Sequence, residues 1–498
     1  MKVDRNGVLI ASITLMVFLL FISKSVNLYD FFAYKNMIEN SGKFDLANAI
    51  STAFGPWGGG SGLSRSSLYV LATYPISYFA GRTFGNVDLI LNTISAVFVS
   101  ISVYFVYLTS KILMNKKISA ASAIVYAIMP WVFFNGINAS IASMQLMFSS
   151  MWTYFISSFY KTGDVRSSLL ASMALTASAF VYLSSVFLIP AHFYILYKKR
   201  VKLATMIKNM LLMVPAAFLF VYFFLFNPAY PVSRNATSLL FSAGLLSWES
   251  VHALSIPILL LLFIGVVKAS KKTSISSPVY EIFMISFIAL LPSLLIVHYV
   301  PVSNFNALFV MVPTLVLSAI KNNRRIFLIL SVALVFAAVK TVPMAADFHS
   351  FSHPHMEYAQ WVYKELPENS TILAGHECPA IKIFLQERVL CRGEENKIKT
   401  DQIFFTSEYV TDENEMELAY AKGMLPVPNA RMDFGYSDFL SGKNYTVYKS
   451  FNGPARPIED HYQWLYSVYP NPVYKLAFYS ALPRPGYKLY KLESGYQV

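Results

Sequence analysis

The sequence predicts a polytopic α-helical membrane protein with a C-terminal, water-soluble α/β domain. Three observations carry that prediction. The chain of 498 residues is 55% hydrophobic, with a mean hydropathy of +0.48. Only 13% of its residues are charged, against about 25% in soluble domains. Apolar runs long enough to cross about 30 Å of hydrocarbon recur until about residue 344, and the composition then turns polar. The net charge of +13 sits in short loops between those runs. Such a pattern sets topology and does not indicate nucleic-acid binding.

Residues 1–6 followed by a long apolar run read as an uncleaved anchor, because the run is too long for a signal peptide and no Ala-x-Ala site follows. Spans are expected near 7–28, 87–110, 118–134, 140–159, 167–182, 184–197, 211–226, 251–267, 279–297, 306–320 and 326–342, about eleven in all. The fifth and sixth are short and meet at Ser184-Ser185. They read as a tight hairpin, with one tilted helix as the alternative. Charge favours the hairpin. Lys111, Lys116, Lys117, Lys161, Arg166, Lys198, Lys199, Arg200, Lys202, Lys208, Lys268, Lys271, Lys272, Lys321, Arg324 and Arg325 then all fall on the cytoplasmic side. Under the same topology the Asn-x-Ser/Thr sequons at Asn138, Asn235, Asn369 and Asn444 share the outer side.

The chain divides into a transmembrane domain, 1–344, and a soluble domain, 345–498. The first outer loop, 29–86, opens on Asp30 just after the first span. A carboxylate there sits at the membrane rim, within reach of both a lipid head group and a water-soluble molecule. The loop continues through Tyr34, Glu39, Asp45, a glycine-rich stretch at 55–62, Arg65 and Tyr74-Pro75. The glycine-rich stretch lacks the Lys-Ser/Thr ending of a phosphate-binding loop and reads as a turn.

In the soluble domain, residues 355–367 have helical spacing and end at a proline. Strands are expected at 371–374, 381–385, 403–406, 446–448 and 487–492. Cys378 and Cys391 are both on the side expected to be oxidising. They read as a disulfide, typically worth about 3 kcal/mol, or as two buried thiols.

Taken in order, several features resemble the GT-C glycosyltransferases. These are Asp30 in the pattern Asp-x-x-x-Tyr-x-x-x-Ile, Tyr74-Pro75 before Phe84-Gly85, the paired short helices after Arg166, and the helical opening of the tail at 359–367. The nearest layouts are the protein O-mannosyltransferases and the aminoarabinose transferase of lipid A. The chain departs from many relatives in having one acid at the first loop, flanked by Tyr29 and Phe31, and no acid in the second outer loop, 135–140. It lacks the Trp-Trp-Asp-Tyr-Gly motif of oligosaccharyltransferases, so that activity is not expected.

The resemblance implies a membrane enzyme that takes a sugar from a polyprenyl-phosphate donor and gives it to a glycan, lipid or protein acceptor on the outer face. Asp30 would be the general base, with Asp45 and Glu39 as less favoured alternatives. Arg65, Arg82, Arg234 and His298 would bind the donor phosphate, with His252 a further rim cation. Arg234 and His298 read equally as a solvated loop charge and an interfacial side chain. Tyr34, Tyr74 and Tyr299 belong to the substrate loops. No cofactor is expected, and the absence of clustered carboxylates beside Asp30 gives a divalent metal no support. Nucleic acid is not an expected partner. Two other readings are a transporter or flippase and a non-catalytic subunit of a glycan-assembly complex. A transporter would show matching halves and ionisable groups deep in its spans.

Overall fold

The computed structural model of the chain describes residues 4–23, 34–35, 37–39, 42–54, 67–226, 250, 253–254, 256–270, 277–293, 305–320, 354–374, 385, 388–391, 397–398, 402–407, 445–452 and 486–492. The described part is a helical bundle followed by a mixed sheet. The helices are α1 (Arg5–Leu20), α2 (Leu46–Phe54), α3 (Ser67–Phe84), α4 (Val87–Leu113), α5 (Lys116–Ile128), α6 (Pro130–Ile137), α7 (Ile141–Thr162) and α8 (Val165–Val181). A 3₁₀ turn, Leu183–Leu188, leads to α9 (Ile189–Lys198), α10 (Leu203–Phe226), α11 (Ile256–Ser270), α12 (Ser277–Leu290), α13 (Asn306–Ile320) and α14 (Pro354–Glu365).

The helix ends follow local chemistry. Asp4 caps α1 by accepting from the Asn6 and Gly7 N–H groups, and Asn86 caps α4 at Leu89. Ser140 caps α7 and Asp164 caps α8, each satisfying donors that the first helical turn leaves unpaired. Gly163 ends α7 with φ of 72°, a left-handed conformation that costs glycine little. Pro130 separates α5 from α6, and the two helices bend by 67°, because proline has no N–H to continue the helix. Among the described residues, α4 and α10 are each long and apolar enough to cross a membrane, and the bent pair would make a third. Shorter apolar helices include α1, α8 and α13.

The eighth helix, the 3₁₀ turn and α9 form the hairpin that charge favoured. Ser178 Oγ meets Ser185 Oγ at 2.8 Å, and Ser172 Oγ meets His192 Nε2 at 3.2 Å. These pairs step away from the turn on both sides, as returning helices require. His192 is wholly buried. Its Nδ1 accepts from the Trp152 indole at 3.4 Å, and its Nε2 lies 3.3 Å from Asn209 Oδ1.

The contacts sort the loops into two ends. At the basic end Lys111 pairs with Asp4, Lys161 donates to the Ile112 carbonyl, and Glu281 receives both Lys198 and, at 2.5 Å, the Tyr160 hydroxyl. At the opposite end Ser23, Asn92, Ile137 and Ala139 meet. This grouping matches the expected division of loops between two sides. Two details differ from the sequence reading. Residues 135–137, expected in a loop, are the last turn of α6. Asn138 is wholly buried, so its sequon is no surface acceptor in the folded chain.

Small residues let the helices approach. A Cβ on Gly136 would lie 2.7 Å from the Phe18 ring, and one on Gly265 would lie 2.6 Å from the Leu315 carbonyl oxygen.

In the C-terminal part the five-stranded sheet has the order β2-β1-β3-β5-β4, with β1 Thr371–Ala374, β2 Val389–Cys391, β3 Ile403–Ser407, β4 Tyr445–Asn452 and β5 Gly486–Leu492. The first strand runs parallel to β2 and β3, while β5 is antiparallel to β3 and β4. Tyr358 and Val362 of α14, with Leu366 just past its end, recur four apart and cover Ile372, Val389, Phe404 and Leu489. The sequence missed the three-residue β2. Its expected strand at 381–385 is not found at Leu385, and the rest of it lies outside the described residues.

Two outcomes are expected. Gly265→Ala should destabilise the protein by about 1–3 kcal/mol, because a backbone carbonyl must move; Gly42→Ala, with nothing within 4 Å, should not lower the thermal midpoint in detergent. Lys111 beside Asp4 holds that carboxyl below the usual carboxylate range. A depressed carboxyl stabilises the fold above its unfolded pKa and loses that contribution as pH falls through the depressed value. Melting curves of wild type and Asp4→Asn should therefore differ at neutral pH and converge in strong acid.

Candidate functional site

The first loop packs on the end of the bundle opposite the basic loops, around its own small core. Tyr34, Ile38, Ala49, Ala53, Tyr69 and Tyr74 pack there with Leu91 of α4 and Met144 and Met147 of α7. Helix α3, which the sequence reading treated as loop, supplies the floor. Its tyrosines and central Pro75 disguise it in the sequence, yet it is a continuous helix with Tyr69, Tyr74 and Tyr78 turned inward.

A polar face of α4 holds this loop to the bundle. Asp88, Asn92 and Ser95 are spaced four and three apart, so they share one side of the helix. Asn92 is wholly buried. Its Nδ2 donates to the Ser23 carbonyl at 2.8 Å, and its Oδ1 accepts from the Ala139 N–H at 2.6 Å. The Ser23 N–H donates to the Ile137 carbonyl at 2.9 Å. Ser95 Oγ accepts from the Ser140 N–H and the Ser143 hydroxyl, both at 3.2 Å. One turn nearer the loop, Asp88 binds Lys35, which also lies 3.7 Å from Glu39. Burial pushes the Glu39 carboxyl up, while Lys35 pulls it down and Asp88 adds to the rise. Ser23 and Lys35 are thus anchored one helical turn apart, and they bracket the stretch that contains Asp30.

The sequence-predicted residues fall as follows. Asp30, Arg65, Arg234, His252, His298, Tyr299 and Cys378 lie outside the described residues. Cys391 ends β2. Tyr34 is wholly buried; its hydroxyl lies 2.9 Å from Thr73 Oγ1 and donates to the Val70 carbonyl at 3.3 Å. Burial holds that phenol far above its ordinary range. Tyr74 is also buried, and its hydroxyl accepts from the Asp45 N–H at 3.1 Å. Asp45 in turn caps α2 through the Asn48 N–H. Arg82 donates to the Gly42 carbonyl at 2.8 Å and lies 4.7 Å over the Tyr78 ring. In the described structure Tyr34, Tyr74 and Arg82 brace the loop. Helices α2 and α3 meet where Ser67 Oγ donates to the Ala53 carbonyl at 3.0 Å. Among the described residues, no three His, Cys, Asp or Glu side chains gather into a metal-holding group.

A second polar chain lies beneath the same end. The Trp131 indole donates to Asn306 Oδ1 at 2.7 Å, Asn306 Nδ2 to Gln145 Oε1 at 2.6 Å, and Gln145 Nε2 to Ser185 Oγ at 3.3 Å. Sequence reasoning missed Asn92, Gln145 and Asn306. Their signal was present as isolated amides inside or beside apolar runs.

Residues 72–228, from within α3 to just beyond α10, match the family described as dolichyl-phosphate-mannose-protein mannosyltransferase. The match covers less than half of the chain, and over those residues the chain resembles this mannosyltransferase family. No curated protein matches it. Among solved structures, the chain is similar to ArnT from Cupriavidus metallidurans bound to undecaprenyl phosphate. Identity is 9% and the TM-score 0.47, over 83% of this chain and 94% of that one. It is also similar to the archaeal oligosaccharyltransferase AglB from Archaeoglobus fulgidus in complex with an inhibitory peptide and a dolichol-phosphate. There identity is 10% and the TM-score 0.49, over 98% of this chain and 88% of that one. At such scores these two likenesses decide nothing about the chain.

Removing the Asn92 side chain would take a donor from the Ser23 carbonyl and an acceptor from the Ala139 N–H. Each buried unpaired group costs about 1–3 kcal/mol. Asn92→Ala should lower the thermal midpoint of the protein clearly, whereas Ser100→Ala, which removes a buried hydroxyl with no hydrogen-bond partner among the described residues, should leave it unchanged or higher.

Proposed function

We propose that the protein is a GT-C-type glycosyltransferase that moves a sugar from a polyprenyl-phosphate carrier to an acceptor hydroxyl, with Asp30 as general base and inversion at the anomeric carbon. The acceptor belongs to a glycan, a lipid or a protein. The transmembrane domain, residues 1–344, is a bundle of about eleven spans, and the reaction takes place on the outer face, where the first loop and the C-terminal domain lie.

The tether on α4 supports this reading. Ser23 and Lys35 are held on one polar helix face, at the end of the bundle where the bundle meets its loops. Four residues of chain separate Asp30 from Tyr34, so covalent reach alone keeps it within about 14 Å of that anchor. The family match begins in α3 and runs on through α4, so it covers Asp88 and Asn92 but not Ser23, Asp30 or Lys35. The base is thereby kept at the rim, where a lipid-borne phosphate and a water-soluble acceptor can meet.

In the reaction the acceptor oxygen attacks the anomeric carbon while the Asp30 carboxylate takes its proton. The bond between that carbon and the phosphate oxygen breaks, and the phosphate leaves on the lipid carrier with the bonding electrons. One displacement inverts the centre. Arg65, Arg234 and His298 are the cations assigned to the departing phosphate, with arginine favoured for its paired donors. Arg82 is assigned with them. No metal is assigned, because the sequence offers Asp30 no companion carboxylates.

The test is transfer from a polyprenyl-phosphate-linked sugar by the purified protein. Asp30→Asn should slow turnover by at least about 100-fold while donor binding persists, and Glu39→Gln should stay near wild type. Wild-type turnover in Asp30→Asn would remove the assignment.

A further inference from the structure

The basic end carries a second feature that glycosyl transfer does not use. Lys198, Lys199, Arg200, Lys202 and Lys208 crowd the connection from α9 to α10. Lys198 is paired with Glu281. The other four are exposed, and among the described residues no carboxylate pairs with them. Lys199 lies 4.1 Å over the Tyr160 ring, which fixes its amine near the end of α7.

Arg200 holds φ at 51°. It ends α9 in a Schellman turn, with its N–H donating to the Tyr197 carbonyl at 2.9 Å and the Val201 N–H to the Leu196 carbonyl at 3.3 Å. Glycine usually occupies that position. An arginine there accepts backbone strain while adding a fixed, forked donor set at the rim.

Helix α10 continues from this cluster with an open apolar strip. Leu203, Ile207, Leu211, Val214 and Phe218 recur at helical spacing and are between 43% and 73% exposed. Cations at one end of an apolar strip match a molecule with an anionic head and a hydrocarbon tail.

We propose that this corner binds an anionic phospholipid of the surrounding bilayer. Lys199, Arg200, Lys202 and Lys208 take the head group, and the α10 strip takes an acyl chain. A zwitterionic head group brings its own cation beside the phosphate, so four unpaired cations select against it. The site lies at the opposite end of the bundle from Asp30's anchors and stands independently of the proposed reaction.

The test uses the full-length protein in detergent with fluorescent phosphatidylglycerol and phosphatidylcholine of equal chain length. Wild type should bind phosphatidylglycerol more tightly than phosphatidylcholine, and the preference should weaken with salt. The variant K199Q/R200G/K202Q/K208Q should lose at least about tenfold in phosphatidylglycerol affinity and keep its phosphatidylcholine affinity. The double variant K202Q/K208Q, which leaves the α9 turn intact, should shift in the same direction. The control K116Q/K117Q, on another exposed basic loop, should bind as wild type. The proposal fails if phosphatidylglycerol affinity survives in both site variants, if the control loses as much, or if inorganic phosphate displaces the lipid at equal concentration.

Discussion

Asn92 has no water to turn to. Its amide sits inside an apolar bundle, where an unpaired donor or acceptor is costly, so its two hydrogen bonds decide what lies on either side of it. One partner is the Ser23 carbonyl at the end of the first span, and the other is the Ala139 N–H between α6 and α7. Three segments far apart in sequence are joined by one side chain. Ser23 closes the triangle with its own bond to Ile137. Asp88, a turn away on the same helix face, then takes Lys35. The first loop inherits its position from these few polar contacts, while apolar packing of Tyr34, Ile38 and Tyr74 makes the position tight.

The chain from Trp131 through Asn306 and Gln145 to Ser185 applies the same rule to the helices beneath. An indole can only donate, so Asn306 must present its oxygen to Trp131 and its amide to Gln145. Gln145 must then donate to Ser185. The direction of every bond follows from the first, and the chain welds α13, late in sequence, to α6, α7 and the hairpin turn. This is how a helix entering after residue 305 finds its place among helices that end before residue 200. Hydrophobic burial alone has little power to choose between helix pairings in lipid, where tails and side chains are equally apolar.

What the sequence revealed follows from how far each signal reaches. Apolar runs are local, so α4, α7, α8 and α13 were legible to within a few residues, and the sorting of basic loops predicted the hairpin at Ser184-Ser185. Helix α14 and strand β1 were legible for the same reason. Helix α3 was not, because Tyr69, Tyr74, Pro75 and Tyr78 break the apolar pattern, and their burial depends on the loop that folds over them. The end of α6 was hidden by Asn135 and Asn138, which look like loop residues until their burial is known. Asp30 stood out as a rim acid. Its anchorage did not, because the partners of Asn92 and Asp88 lie between 47 and 69 residues away, and no local pattern pairs residues at that range.

The electrostatics around the proposed base follow from the same contacts. A carboxylate is a useful proton acceptor when nothing nearby stabilises its charge too well; a cation in contact would lower its basicity. Lys35 is the nearest cation to Asp30 along the chain, five residues on. Its ammonium is engaged by Asp88 with Glu39 beside it, so one positive charge faces two acids. Those acids neutralise the lysine that would otherwise be free to pair with Asp30. They also use its charge to fasten the loop. Exchanging Lys35 for a neutral side chain would therefore loosen the loop and take its positive charge away from Asp88 and Glu39. The anchoring of the first loop is for this reason an electrostatic problem, solved on one face of α4.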